Sequence, residues 1–188
     1  MSPLILEYRE DTASNFEGTI IDLETVGEFD QRYYDSRQYQ NIEMVIFGYI
    51  NSCGLTIACA RGTEALDKLL ERGEGIIEGL ERPFYAFNAN FERAVLFNQL
   101  GHEVGFGGEL QKKPYERKAD AVKSLNIPNY DDPYYDKGLL CMFAWRKGDY
   151  RQAMAHNRAC LLKERDILLK RGFKEPDELK FVKMIKNV

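Results

Sequence analysis

Two acids one residue apart close an apolar run in Gly18-Thr19-Ile20-Ile21-Asp22-Leu23-Glu24-Thr25. The β-branched residues before them read as a buried strand that delivers carboxylates at its tip. Residues i and i+2 of a strand share a face, so Asp22 and Glu24 lie about 7 Å apart on one side at ~3.3 Å per residue. Carboxylates held that way repel unless a cation or a proton resolves the repulsion, and the spacing suits a shared divalent ion. The structural alternative is a strand end that simply runs into a polar loop. A second chemistry-bearing stretch is Phe87-Asn88-Ala89-Asn90-Phe91-Glu92, where a short strand hands over to a helix. Such a junction projects side chains beyond a sheet, where open α/β folds build their sites. Glu92 is equally well placed as a capping acid favoured by the helix dipole.

The elements that must position these residues follow from periodicity and punctuation. Leu4 to Leu6 is an edge strand or extended arm, and the acid-bearing strand covers 17–24. A long polar loop from Val26 to Gln40 precedes strands at 44–50 and 55–60, joined by the turn Asn51-Ser52-Cys53-Gly54. Helical spacing begins at Thr63 and ends at Gly73, with a second short amphipathic segment at 74–81. A buried strand at 84–87 leads to a helix at 90–100 closed by Gly101, then a further strand at 102–106 and a helix at 109–125. Asn126 to Pro133 form a loop, 136–147 a helix, and Asp149 caps a long helix over 150–171 that Gly172 stops. Pro176 starts a last helix at 176–186.

With 188 residues, 44% hydrophobic and 30% charged, the chain is sized for one folded domain with a substantial core. No apolar run has the length of a membrane span and no signal segment is evident, so a cytoplasmic protein without a membrane partner is expected. Cys53, Cys59, Cys141 and Cys160 form no CxxC pair and read as reduced thiols, and two histidines exclude a multi-histidine zinc site. The net charge of −4 argues against holding nucleic acid by bulk electrostatics. It leaves room for a site that gathers acids around a metal beside a local basic rim, for which Lys112, Lys113, Arg117, Lys118 and Lys123 are candidates. A solvated helix face explains the same charges.

IDLET followed by NANFE resembles the first two motifs of the DEDD-type 3′–5′ exonucleases of the ribonuclease H-like superfamily. In that family a strand ends in Asp-x-Glu and a second motif reads Asn-x-x-Phe-Asp. Asp22, Glu24, Asn88 and Phe91 match, and Glu92 keeps the carboxylate with one more methylene. The third motif, Tyr-x-x-x-Asp or His-x-x-x-x-Asp on the long C-terminal helix, corresponds to His156-Asn157-Arg158-Ala159-Cys160. Here His156 takes the Tyr position and Cys160 the Asp position. The resemblance spans residues 18–172. It implies an α/β fold of the ribonuclease H-like kind, a mixed sheet of three antiparallel strands plus parallel ones with helices on both faces. It further implies metal-dependent hydrolysis of single-stranded DNA or RNA ends with Asp22, Glu24, Glu92 and His156 as catalytic residues, and Thr25, Asn88 and Phe91 as contacts to nucleic acid.

Phosphodiester hydrolysis of this type uses two ions about 3.5–4 Å apart. Mg²⁺ or Mn²⁺ needs hard oxygen ligands, which Asp22, Glu24 and Glu92 supply, whereas a thiol with a free pKa of ~8.5 ligates Mg²⁺ poorly. Cys160 therefore weakens one position. Glu164, one turn on, leans back toward it and is the alternative fourth ligand, unless it is an ordinary surface acid. His156, with an unperturbed pKa of ~6.5, is the natural general base, or else a packed helix residue. Asn88 and Phe91 have structural readings too, as a helix cap and a core aromatic. A non-catalytic module that binds nucleic acid or a replication or repair protein is the competing function, and Cys160 is the residue that favours it.

Overall fold

Ile20, Ile21 and Leu23 are buried on opposite faces of strand β2 (Thr19–Gly27), which requires a central place in a sheet covered on both sides. The computed structural model describes residues 4–183 and gives it that place. The other strands are β1 (Ile5–Glu10), β3 (Ile42–Asn51), β4 (Gly54–Ala60), β5 (Phe84–Ala86) and β6 (Gly108–Glu109), in the order β1-β4-β3-β2-β5-β6. β1 to β4 pair antiparallel, while β2, β5 and β6 run parallel. The chain is thus α/β with a mixed sheet. The antiparallel part has four strands where three were expected, because the edge segment β1 pairs with β4 from Ile5↔Ala60 to Glu10↔Leu55.

Five helices complete the described residues: α1 (Leu66–Gly79), α2 (Ala89–Leu100), α3 (Lys118–Ser124), α4 (Gly138–Arg146) and α5 (Tyr150–Arg171). Phe47 and Gly48 are neighbours on β3 and so face opposite sides. Phe47 lies near α1 at Gly73, and Gly48 lies against Asn157 and Leu161 of α5, so helices cover both faces. None of these helices is long and apolar enough to cross a membrane.

Several expectations from the sequence need correction. α1 runs unbroken through Gly73, which is buried beside Met44 and Phe47; packing there overrides the low helix propensity of glycine. The strand expected at 102–106 is replaced by the two-residue β6. The helix expected over 109–125 shrinks to α3, because Pro114 disfavours helical backbone before it and Tyr115 turns with φ 64°. From 176 to 183 there is no helix, and 184–186 lie outside the described residues. That segment is an extended strap, with the Ser36 amide bonded to the Lys180 carbonyl at 3.0 Å and Phe181 packed on Phe97.

α5 has the expected bounds. The Asp149 side chain accepts from the Gln152 amide at 3.3 Å, and Gly172 ends the helix at φ 72°. Its approach to the sheet depends on Gly48, the cross-strand partner of Asp22, where an added Cβ would lie 2.0 Å from Asn157 Oδ1. Gly48→Ala must push α5 outward or displace Asn157, an overpacking change of about 1–3 kcal/mol. Urea unfolding is expected to show that loss. Gly48→Ala combined with Asn157→Ala, which clears the oxygen the new Cβ would strike, is expected to cost less than the two single changes added together.

Candidate active site

Just past the carboxyl end of β5, alongside the second half of the parallel strand β2, the chain folds around a cavity of about 330 Å³. Asp22, Glu24, Thr25, Asn88, Phe91, Glu92, His156 and Cys160 all line it, as do Lys118, Asp136 and Gly138. Period-two alternation puts Asp22 and Glu24 on the α5 side of β2. A bulge between Glu24 and Thr25 then re-aims the strand end, since Glu24 faces Ile46 and Thr25 faces Met44. Glu92 arrives from the first turn of α2, whose N-cap is Asn88, with the Asn88 side chain accepting from the Phe91 amide at 3.3 Å. Asn88 therefore does serve as a cap, while still facing the cavity.

α5 contributes three side chains in one stretch. Asn157 Nδ2 donates to Asp22 Oδ2 at 2.7 Å and to its carbonyl at 3.1 Å, which fixes the carboxylate. His156 places Nδ1 2.7 Å from Asp132 Oδ1 and Nε2 3.8 Å from Glu24 Oε1 and 3.7 Å from Cys160 Sγ. A carboxylate behind the ring fixes its tautomer and orientation, so Nε2 is the nitrogen turned to the site. Asp132 is fixed in turn by the Tyr134 and Asp136 amides and by Lys163 Nζ at 2.7 Å. Lys163 is fully buried and also bonds Asp136 at 2.8 Å and Asn129 at 3.2 Å, so one ammonium gathers the loop before α4.

Ligand atoms of Asp22, Glu24 and Cys160 lie within 4.8 Å of one another, as do those of Glu24, Cys141 and His156 and those of Asp132, His156 and Cys160. Glu92 joins no such set, so its convergence on the other two acids is looser than the motif spacing led us to expect. It is nonetheless buried, at 5% exposure, with Oε2 lacking any hydrogen-bond partner. Glu164 is no surface acid: it is fully buried and absent from the cavity wall. Its Oε1 instead meets Lys118 Nζ at 2.5 Å, and the same ammonium is 3.0 Å from Asp22 Oδ1. Of the candidate basic rim, Lys112, Lys113, Arg117 and Lys123 stay exposed, and Lys118 alone joins the site. Lys118 turns inward, Arg117 pairs with Asp120 at 2.8 Å, and Glu116 pairs with Arg171 at 2.8 Å.

The electrostatics follow from burial and neighbours. Burial raises the Glu24 pKa to about 7, with Asp22 pushing the same way and His156 opposing. Glu92 is lifted well above the usual carboxyl range by burial and then by Asp22, and Glu164 likewise, against the pull of Lys118. Burial opposes charge on Lys118, but Asp22, Cys160 and Glu164 outweigh it and hold it protonated. Burial would also discharge His156, yet Cys160, Glu24 and the Asp132 hydrogen bond raise its pKa to about 12. Without a further cation the ring is therefore an imidazolium, not the neutral base expected from its free pKa. Burial pushes the Cys160 thiol up, against the pull of Lys118 and His156. The donor set fits a divalent ion at the Asp22 and Glu24 oxygens with the unpartnered Glu92 oxygen nearby, and Cys160 is the one ill-suited ligand for a hard ion.

Comparison with family models, with curated proteins and with solved structures gives no match. What the fold and the site define is an α/β protein with an acid-lined cavity between the second half of β2 and the start of α2, under α5. Lys118, Asp132 and Lys163 are the site-forming residues that motif spacing did not single out for these roles. Their partners lie 96, 24 and 31 residues away in sequence, and no local pattern encodes such pairings.

Glu24 makes stability depend on pH. Its folded pKa of about 7 exceeds its free value of 4.5, so the folded state binds more protons between those values. Its contribution is present below the lower value and lost as pH rises through the upper, by up to about 1.4 kcal/mol per unit. Urea unfolding with chelator present is expected to show lower stability at pH 7 than at pH 5, and Glu24→Gln is expected to flatten that slope. Unchanged slope in the variant would assign the effect elsewhere.

Proposed function

We propose that this chain is a metal-dependent phosphodiester hydrolase of ribonuclease H-like fold that shortens single-stranded nucleic acid from its 3′ end. One observation carries the reading. Glu92 comes from a sequence motif remote from Asp22 and Glu24, yet it faces the same cavity, buried and with a carboxylate oxygen left without a partner. A bound Mg²⁺ or Mn²⁺ would supply Lewis-acid stabilisation of the charge that develops on the phosphate. Asp22 and Glu24 are the residues to hold it. Asn157 fixes the Asp22 carboxylate, and Asp132 holds the His156 ring with Nε2 toward the cavity. Hydrolysis forms one P–O bond from water and breaks the bond to the preceding 3′ oxygen, which takes up a proton as a nucleoside 5′-monophosphate leaves. The water loses its proton to a base, and His156 Nε2 serves that role only once added positive charge has lowered its proton affinity.

A groove of about 650 Å³ adjoins the cavity, and Thr25, Phe91 and Gly138 line both. Phe29, Met142, Phe143 and Arg146 form further walls, with Phe29 and Phe143 exposed. Aromatic faces beside a cation suit unpaired bases and backbone phosphate, which supports single-stranded DNA or RNA over a duplex. Thr25 and Phe91 stand at the junction, where a terminal nucleotide would pass. The second reading is a silent module that binds nucleic acid or a replication or repair protein; a thiol at Cys160 in place of a carboxylate and the Lys118 ammonium on Asp22 favour it.

Labelled single-stranded DNA and RNA incubated with Mg²⁺ or Mn²⁺ separate the two. Wild type is expected to shorten at least one of them from the 3′ end and Asp22→Ala to lose the activity, with Cys160→Asp at least as active in Mg²⁺ as wild type. If neither wild type nor Cys160→Asp exceeds Asp22→Ala, the hydrolase reading fails. Asp132→Asn keeps a hydrogen-bond acceptor but removes the charge behind His156. Loss of such a supporting partner typically lowers activity about 10–100-fold, and the assay is expected to fall within that range.

A further inference from the structure

Asp22 is the acid best placed to bridge two metal ions, and both of its oxygens are already engaged. Oδ2 accepts from Asn157 at 2.7 Å, and Oδ1 meets the Lys118 ammonium at 3.0 Å. The carboxylate nearest to it on α5, Glu164, is fully buried and lies 2.5 Å from the same ammonium. The position that would complete a second oxygen cage on that helix is Cys160, a thiol. Lys118 thus stands between Asp22 and Glu164, where a second cation would need both of them. The ammonium also faces the cavity: Lys118 is among its lining residues, with 17% of its side chain exposed.

We propose that the site takes a single divalent cation, at Asp22 and Glu24, and that the Lys118 ammonium permanently fills the place of the second. The inference rests on the metal-dependent reading above and names how that reading is executed in this chain. A fixed ammonium has a set charge, needs no supply from solution and tolerates a thiol neighbour, so Cys160 no longer marks a broken ligand set. Glu164 becomes a positioning residue that holds Lys118 against Asp22. It cannot at the same time be the fourth metal ligand. The unpartnered Glu92 oxygen is left free to meet the one ion or the water beside it.

The test counts ions and does not need turnover. Equilibrium dialysis with Mn²⁺, read together with electron paramagnetic resonance, is expected to give one ion per wild-type chain with no exchange-coupled pair. Lys118→Met keeps an unbranched side chain and removes the charge, so the freed Asp22 and Glu164 are expected to admit a second Mn²⁺. Lys118→Arg is expected to stay at one. Two ions in wild type overturn the inference and leave the hydrolase reading standing. No ion in folded wild type removes both. One ion in a Lys118→Met protein that folds, as judged by circular dichroism, also overturns it. Should that variant not fold, Lys118→Gln takes its place in the count, two ions upholding the inference and one overturning it.

Discussion

The hydrogen bonds from Asn157 to Asp22 are the contact on which the site depends, and they exist only because residue 48 has no side chain. A helix can lie on a sheet at many offsets and tilts if only apolar surface is buried, since hydrophobic contact has no direction. A buried amide that must reach one carboxylate does have direction. It selects the offset of α5 along β2 and β3, and the same offset brings His156 to Glu24 and Cys160 to Asp22. The amide nitrogen of Asn157 is satisfied twice over, while its Oδ1 is buried without a partner, so the contact specifies geometry at modest gain in stability.

Around that contact the chain concentrates buried ionisable groups: four cavity acids, Glu164, Lys118, and the Asp132–His156–Lys163 network. Charges removed from water are tolerated only when paired and hydrogen-bonded. The two lysines divide the work. Lys163 neutralises the acids of the loop before α4, where Tyr130, Asp131, Tyr135 and Asp136 all have positive φ. Such backbone is strained for residues other than glycine, so the ammonium and the Asp132 hydrogen bonds hold a conformation the loop would not adopt alone. Lys118 does the same for Asp22 and Glu164.

Much of this was legible in the residues. The alternation around Asp22 and Glu24 put both acids on one face, Asp149 and Gly172 marked the ends of α5, and Asn88 with Gly101 bracketed α2. Each rests on short-range physics: a period, a cap or a left-handed turn. The errors arose where local pattern and tertiary pairing disagree. Basic residues from Lys112 to Lys123 have helical composition, but Pro114 and the Glu116–Arg171 pair hold the first half of that segment outside helix. Glu164 looked like one more acid on a charged stretch, Lys163-Glu164-Arg165-Asp166. Only the three-dimensional placement of Lys118 explains why it is wholly buried.

Gly138 has a different significance. It borders both the cavity and the adjoining groove, yet a Cβ built there meets nothing within 4 Å. The wall shared by the two spaces therefore has room at residue 138 for a side chain that the chain does not carry. Gly138 opens α4, whereas Asp22 and Glu24 stand on β2 and Glu92 on α2. Bulk added at this one position would thus reshape the join between cavity and groove without displacing any of the three acids.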